Sequence, residues 1–176
     1  MDTGILILRL LVGLLVAAHG VQKVSSHFGG DGLDGGAAEF RADGFRGGVL
    51  TALAAGGGQI SSGLLLAAGL LTPLAAAGTI GVMTVALTVK RHNGLWVQND
   101  GYEYPLVLIV TAAALAATGP GAWSLDASLG LAPYPLRWAV PVLAVGVGSG
   151  LIARLVLHRG PAAEPASPTT ESAVRR

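Results

Sequence analysis

Cysteine is absent from the 176 residues, which removes disulfides, thiolate nucleophiles, iron–sulfur clusters and cysteine-ligated zinc from the chemistry open to this chain. Charge is scarce as well. Asp, Glu, Lys and Arg make up 12% of the sequence, about half the roughly 25% usual in soluble domains. The formal balance of +1 leaves no basic stripe of the kind that neutralises phosphates, so nucleic acid is excluded as a partner. Catalytic signatures are missing too: there is no nucleophile elbow, no HExxH helix, no repeated bis-His pattern for haem, and no phosphate-cradling glycine loop between strand and helix. His19 and His92, without a third ligand at a suitable spacing, do not form a zinc or iron site.

What is present is apolar. Hydrophobic residues make up 52% of the chain and 27 residues are Gly, with a mean hydropathy of +0.62. A hydrocarbon layer of ~30 Å is crossed by about 20 residues at 1.5 Å each. Five runs suit that length: 4–21, 49–71, 73–89, 104–118 and 138–157. Lipid offers no partners to backbone N–H and C=O groups, and the runs lack the alternation of barrel strands. They predict an all-α integral membrane bundle, with four core transmembrane helices and a fifth, C-terminal one. The aromatics, three each of Phe, Tyr and Trp, all fall in connections or at run edges, where amphipathic rings meet the headgroups. The first run reads as a retained helix rather than a secretory signal, because residues 1–3 carry no basic segment, Arg9 interrupts the run and no cleavage site follows Ala18.

Lys23, Arg41, Arg46, Lys90, Arg91, Arg159, Arg175 and Arg176 fall on one side of a five-span arrangement, and Arg137 on the other. The positive-inside rule then predicts a multi-pass plasma-membrane protein with its N-terminus outside and its C-terminus in the cytoplasm. Close helix packing is expected where small residues recur four apart, at Gly13 with Ala17, Gly58 with Ser62 and Gly146 with Gly150. Residues 159–176, rich in Pro, Ser and Thr, cannot bury apolar area and are expected to be disordered.

Ionisable side chains within membrane runs are the candidate site residues, because burying them is costly. Arg9 lies inside the first run, where it either snorkels to lipid phosphates or faces the bundle and pairs with Gln59 or an anionic ligand oxygen. His19 and Lys23 are one turn apart and project together. Lys90, Arg91 and His92 end the third run, and Tyr102 and Glu103 open the fourth, at the same membrane face. The positive-inside rule alone accounts for basic residues at such helix ends. The layer so formed is the best site candidate.

In this order the residues resemble the DoxX family of small bacterial membrane proteins. The matching pieces are Arg9-Leu10-Leu11-Val12-Gly13, His19-Gly20-Val21-Gln22-Lys23, Phe28-Gly29-Gly30, Gly69-Leu70-Leu71-Thr72-Pro73, Asn93-Gly94-Leu95-Trp96, Gly101-Tyr102-Glu103-Tyr104 and Gly119-Pro120-Gly121-Ala122-Trp123-Ser124-Leu125-Asp126. The resemblance covers about residues 5–127. It implies a four-helix membrane core over 1–127, leaving 128–158 as a connecting loop and fifth helix. Gln59 stands where the family pattern suggests an acidic residue, which leaves Arg9 without that partner. Similar proteins are linked to quinol oxidase and thiosulfate–quinone oxidoreductase complexes, and to a membrane oxidative-stress complex with a sulfurtransferase and a superoxide dismutase.

The resemblance implies an accessory membrane component of a redox or oxidative-stress system, with a quinone as the candidate cofactor. A quinone needs an apolar slot and a few hydrogen-bond donors. His19, Lys23, Arg9 and Tyr102 are the expected donors, Gln59 a further contact, and Glu103 or His92 the proton-exchanging group. The alternative is a non-catalytic anchor that recruits soluble enzymes through its cytoplasmic loops and tail. The expected partners are the lipid bilayer, soluble redox enzymes at the cytoplasmic face and a second copy of the chain. A transporter would show repeats or broken helices. Only Gly56–Gly58 suggests a break.

Overall fold

The computed structural model describes residues 2–158; the expectation for residues 159–176, and the basic residues within them, lie outside the described residues. Among the described residues there are seven α-helices and no strand: α1 (Asp2–Val24), α2 (Gly32–Ala42), α3 (Val49–Ala68), α4 (Thr72–Lys90), α5 (Glu103–Thr118), α6 (Leu125–Ser128) and α7 (Ala139–Leu157). Four segments, Asp2–Val24, Val49–Ala68, Thr72–Asn93 and Leu136–Leu157, are long and apolar enough to cross a membrane. The fourth of the five expected runs forms the shorter α5, whose 16 residues extend about 24 Å.

The bundle is inside-out relative to a soluble protein. On α1 the buried face is Val12, Gly13, Val16, Ala17 and Gly20, while Ile7, Leu8, Leu11 and Leu14 point outward. Such a pattern is stable only where the surroundings are as apolar as leucine, so the small face is left to pack helix on helix. A Cβ on Gly63 would lie 2.5 Å from the Gly13 carbonyl oxygen and 2.5 Å from the Ala17 nitrogen. α1 and α3 therefore touch backbone to backbone. The same holds for α4 and α7, where a Cβ on Gly150 would lie 2.5 Å from the Gly81 carbonyl oxygen and one on Gly146 2.7 Å from Ile80.

Two expectations about glycine are corrected. Gly58 is not a close-contact position, since a Cβ there would meet only Val82 at 3.6 Å; the tight positions on α3 are Gly56 and Gly63. The Gly56–Gly58 run does not break α3, which continues from Val49 to Ala68, because Gly56 lies against Gly20 and neighbouring backbone supports the helix there. Residues 22–48, expected as a connection, contain α2. Its Leu33, Ala37 and Phe40 recur at the helical spacing of i, i+4 and i+7, and Ala37 and Phe40 are buried with Phe45 and Ala52.

One end of the bundle is closed by Arg9, Gly69 and Asp126. α3 terminates at Gly69, which adopts φ +63°, and the Leu70 amide donates to the Leu65 carbonyl at 2.9 Å, a Schellman closure. The Asp126 carboxylate, fully buried, accepts from the Leu71 amide at 2.7 Å, the Thr72 amide at 2.9 Å and the Thr72 hydroxyl at 2.7 Å. It thereby caps α4 from 54 residues away, satisfying amides the helix leaves open. The opposite end carries Lys23, α2 and Lys90, and holds the cavities described next.

Candidate functional site

α2 lies across the end of α1 and roofs a chamber of about 620 Å³. Glycine makes this possible: a Cβ on Gly36 would fall 2.2 Å from the Lys23 carbonyl oxygen. The roof is fastened by the Lys23 ammonium, 3.2 Å from the Glu39 carboxylate and 5.1 Å from the centre of the Phe40 ring. Across the chamber Lys90 pairs with Asp100. Its walls carry His19, Lys23, Glu39, Gln59, Lys90 and Tyr104.

His19 and Tyr104 stack with ring centroids 5.1 Å apart, and the tyrosine hydroxyl lies 3.5 Å from His19 Nδ1. Nδ1 also lies 3.0 Å from the Leu15 carbonyl oxygen. That oxygen can only accept, so Nδ1 carries the proton in the neutral ring and Nε2 is its acceptor. Gln59 is 3% exposed, and its side-chain oxygen has no hydrogen-bond partner among the described residues. A buried carbonyl without a partner costs roughly 1–3 kcal/mol. This unpartnered acceptor belongs to a residue that lines the chamber wall.

A second cavity of about 330 Å³ adjoins the first and shares Lys23, Glu39, Gln59, Ala86 and Lys90 with it. Its other walls are mostly apolar, with Phe40, Phe45, Val82, Val85, Val89 and Leu157 beside Asp43, Thr51 and Ser149. At its rim, burial raises the Asp43 carboxyl above the ordinary range and Glu39 adds to the effect, against the opposing pull of Lys23, Lys90 and Arg154.

Of the residues singled out from the sequence, the structure brings His19, Lys23, Gln59 and Lys90 together at the chamber wall. Arg9 is elsewhere. It is 2% exposed and donates to the Pro120 carbonyl at 2.9 Å and the Trp123 carbonyl at 2.6 Å, with Asp126 as its electrostatic partner. Ten residues along α1 separate it from His19, about 15 Å. It therefore neither snorkels nor meets Gln59. His92 and Tyr102 lie in the connection between α4 and α5 and Glu103 opens α5, and none of the three lines the chamber. The Arg91 Nε donates to His92 Nε2 at 3.3 Å, the Tyr102 amide donates to the Gly94 carbonyl, and Glu103 accepts from the Val97 amide at 3.1 Å.

Tyr104 and Glu39 stand at the chamber wall but lay outside the sequence-derived set. Tyr104 closes the Tyr102-Glu103-Tyr104 triplet, and only the placement of α5 beside α1 selects it over Tyr102. Glu39 had a legible signal, the helical spacing of Leu33, Ala37 and Phe40, which places it on the α2 face adjoining Phe40.

Among protein families, the one described as DoxX matches residues 4–92. No curated protein and no solved structure matches the chain.

Proposed function

The chain belongs to the DoxX family, and from that premise we propose that it is an accessory component of a redox or oxidative-stress system that docks the head group of a quinone in the chamber beneath α2. The observation that carries this reading is the junction at Gln59, where a polar chamber and an apolar cavity share one buried amide. An amphiphilic ring needs such a pair of environments, few directional polar groups beside mostly apolar walls. The Lys23 and Lys90 ammonium groups and the Tyr104 hydroxyl supply donors for ring oxygens, and His19 Nε2 and the unpartnered Gln59 Oε1 supply acceptors for the hydroxyls of the reduced ring. Arg9 and Tyr102 drop out as donors in this reading. Glu39, beside Lys23, replaces Glu103 and His92 as the acidic group nearest the ligand.

The chamber end is assigned to the cytoplasm, because Lys23, Arg41, Arg46, Lys90 and Arg91 gather there. In this arrangement α5 crosses with its flanks as the fourth of five spans, residues 1–127 form the core, and 128–158 add the fifth crossing.

Binding of a naphthoquinone to the purified protein in lipid nanodiscs tests the reading. Wild-type protein is expected to bind saturably, and His19→Ala to weaken binding at least about tenfold, equivalent to about 1.4 kcal/mol, without a loss of melting temperature that accounts for it. Folded protein that binds no quinone, yet retains soluble enzymes through its chamber-end loops, would replace this reading with the anchor.

A further inference from the structure

α7 lies outside the residues that match the family, and its placement gives it a role. The helix is seated on the bundle at two places. Near mid-bundle, Gly146 and Gly150 bring its backbone against Ile80 and Gly81 of α4. At the chamber end, the Arg46 amide donates to the Leu157 carbonyl at 2.8 Å, Phe45 and His158 form an isolated bridge, and the Arg154 guanidinium lies 5.1 Å over the Phe45 ring. Between these seats, a stretch of about 10 Å, α7 stands off from α3 and α4. The space left is the apolar cavity, with Ala153 and Leu157 forming its α7 wall opposite Val85. The Ser149 hydroxyl on that wall donates to the Gly146 carbonyl at 2.9 Å, so it presents no free donor to the cavity.

Resting on the quinone reading above, we propose that α7 turns an otherwise open face of α4 into a groove for the isoprenoid chain of the ligand, with Gln59 at the joint between ring and chain. The occupant follows from continuity: the groove shares Lys23, Glu39, Gln59, Ala86 and Lys90 with the chamber, and beyond them its polar lining is Asp43 at the rim with Thr51 and Ser149, whose hydroxyls already donate to the Arg46 and Gly146 carbonyls. Lipid is as apolar as the groove, so transfer of the chain is not driven by water. The advantage comes from close packing and from delivering the ring and the chain as one molecule.

The test compares a naphthoquinone lacking a side chain with the same ring carrying a long isoprenoid chain, both at matched concentration in the membrane of nanodiscs. Wild-type protein is expected to favour the chain-bearing ring at least about tenfold. Ala153→Phe fills the groove from α7 and Val85→Phe fills it from α4; each is expected to remove that preference while the chainless ring binds as before. Equal binding of the two rings by wild-type protein overturns the inference and leaves the chamber reading standing. A preference that survives in both variants, with melting temperatures showing them folded, overturns it in the same way. If neither ring binds wild-type protein, the chamber reading falls and this inference with it. Displacement of the chain-bearing ring by phospholipid alone, with no dependence on the ring, also overturns it and assigns the groove to an acyl chain.

Discussion

A guanidinium sealed away from solvent needs acceptors for its protons, and Arg9 finds two in the Pro120 and Trp123 carbonyls, its Nε having none among the described residues. Gly69 is part of the same solution, since any Cβ there would fall 1.8 Å from the Arg9 Nη1. Asp126 supplies the compensating charge while capping α4. Arg9→Leu leaves two carbonyls unpaired and removes the positive charge acting on Asp126, whose carboxylate keeps its hydrogen bonds from Leu71 and Thr72. Each buried carbonyl left without a partner costs about 1–3 kcal/mol, so the variant is expected to melt well below wild type in detergent, with Trp123 fluorescence reporting the loss. An unchanged melting temperature would remove Arg9 from the structural role. The position of Arg9 within an apolar run was legible; its partners were not, because they lie more than a hundred residues away.

At the scale of the element, the decisive quantity is how closely two helix backbones approach. The glycine pattern makes α1 and α3 a single tight layer, yet glycine is so abundant that spacing alone does not say which copies matter. The prediction separates them. Gly63→Ala drives a Cβ to 2.5 Å from α1 backbone, and overpacking of this kind costs about 1–3 kcal/mol or more. Gly57→Ala, between one and two turns earlier, meets nothing within 4 Å and gains about 0.5–1 kcal/mol of helix propensity. Melting curves of the two variants should therefore move in opposite directions, and a parallel shift would mean that the interface is not packed this way. α2 makes a related point. Its glycines read as a loop, but the four-residue spacing of Leu33 and Ala37 carries a helix because Gly36 lets it settle on the end of α1.

For the whole molecule, the lack of cysteine becomes an experimental asset. Gln98→Cys at the chamber end and Ser128→Cys at the Arg9 end each introduce one thiol on an exposed position into a background with none. With the chamber end in the cytoplasm, a membrane-impermeant thiol reagent applied to intact cells is expected to label Ser128→Cys and spare Gln98→Cys. The reverse pattern inverts the assignment.

The sequence by itself determined that this chain is helical and membrane-embedded, because the cost of an unpaired backbone group in lipid acts locally and is written into each apolar run. It also determined which side chains are expensive enough to need a reason. Only the tertiary structure decided which of them meet. His19, Lys23 and Gln59 converge while Arg9, His92, Tyr102 and Glu103 do not, since convergence depends on how each helix is rotated about its axis. In helices apolar on every face no hydrophobic periodicity fixes that rotation. Contacts such as Gly63 on α1 and Gly150 on α4 fix it instead, and they exist only once the partners are in place.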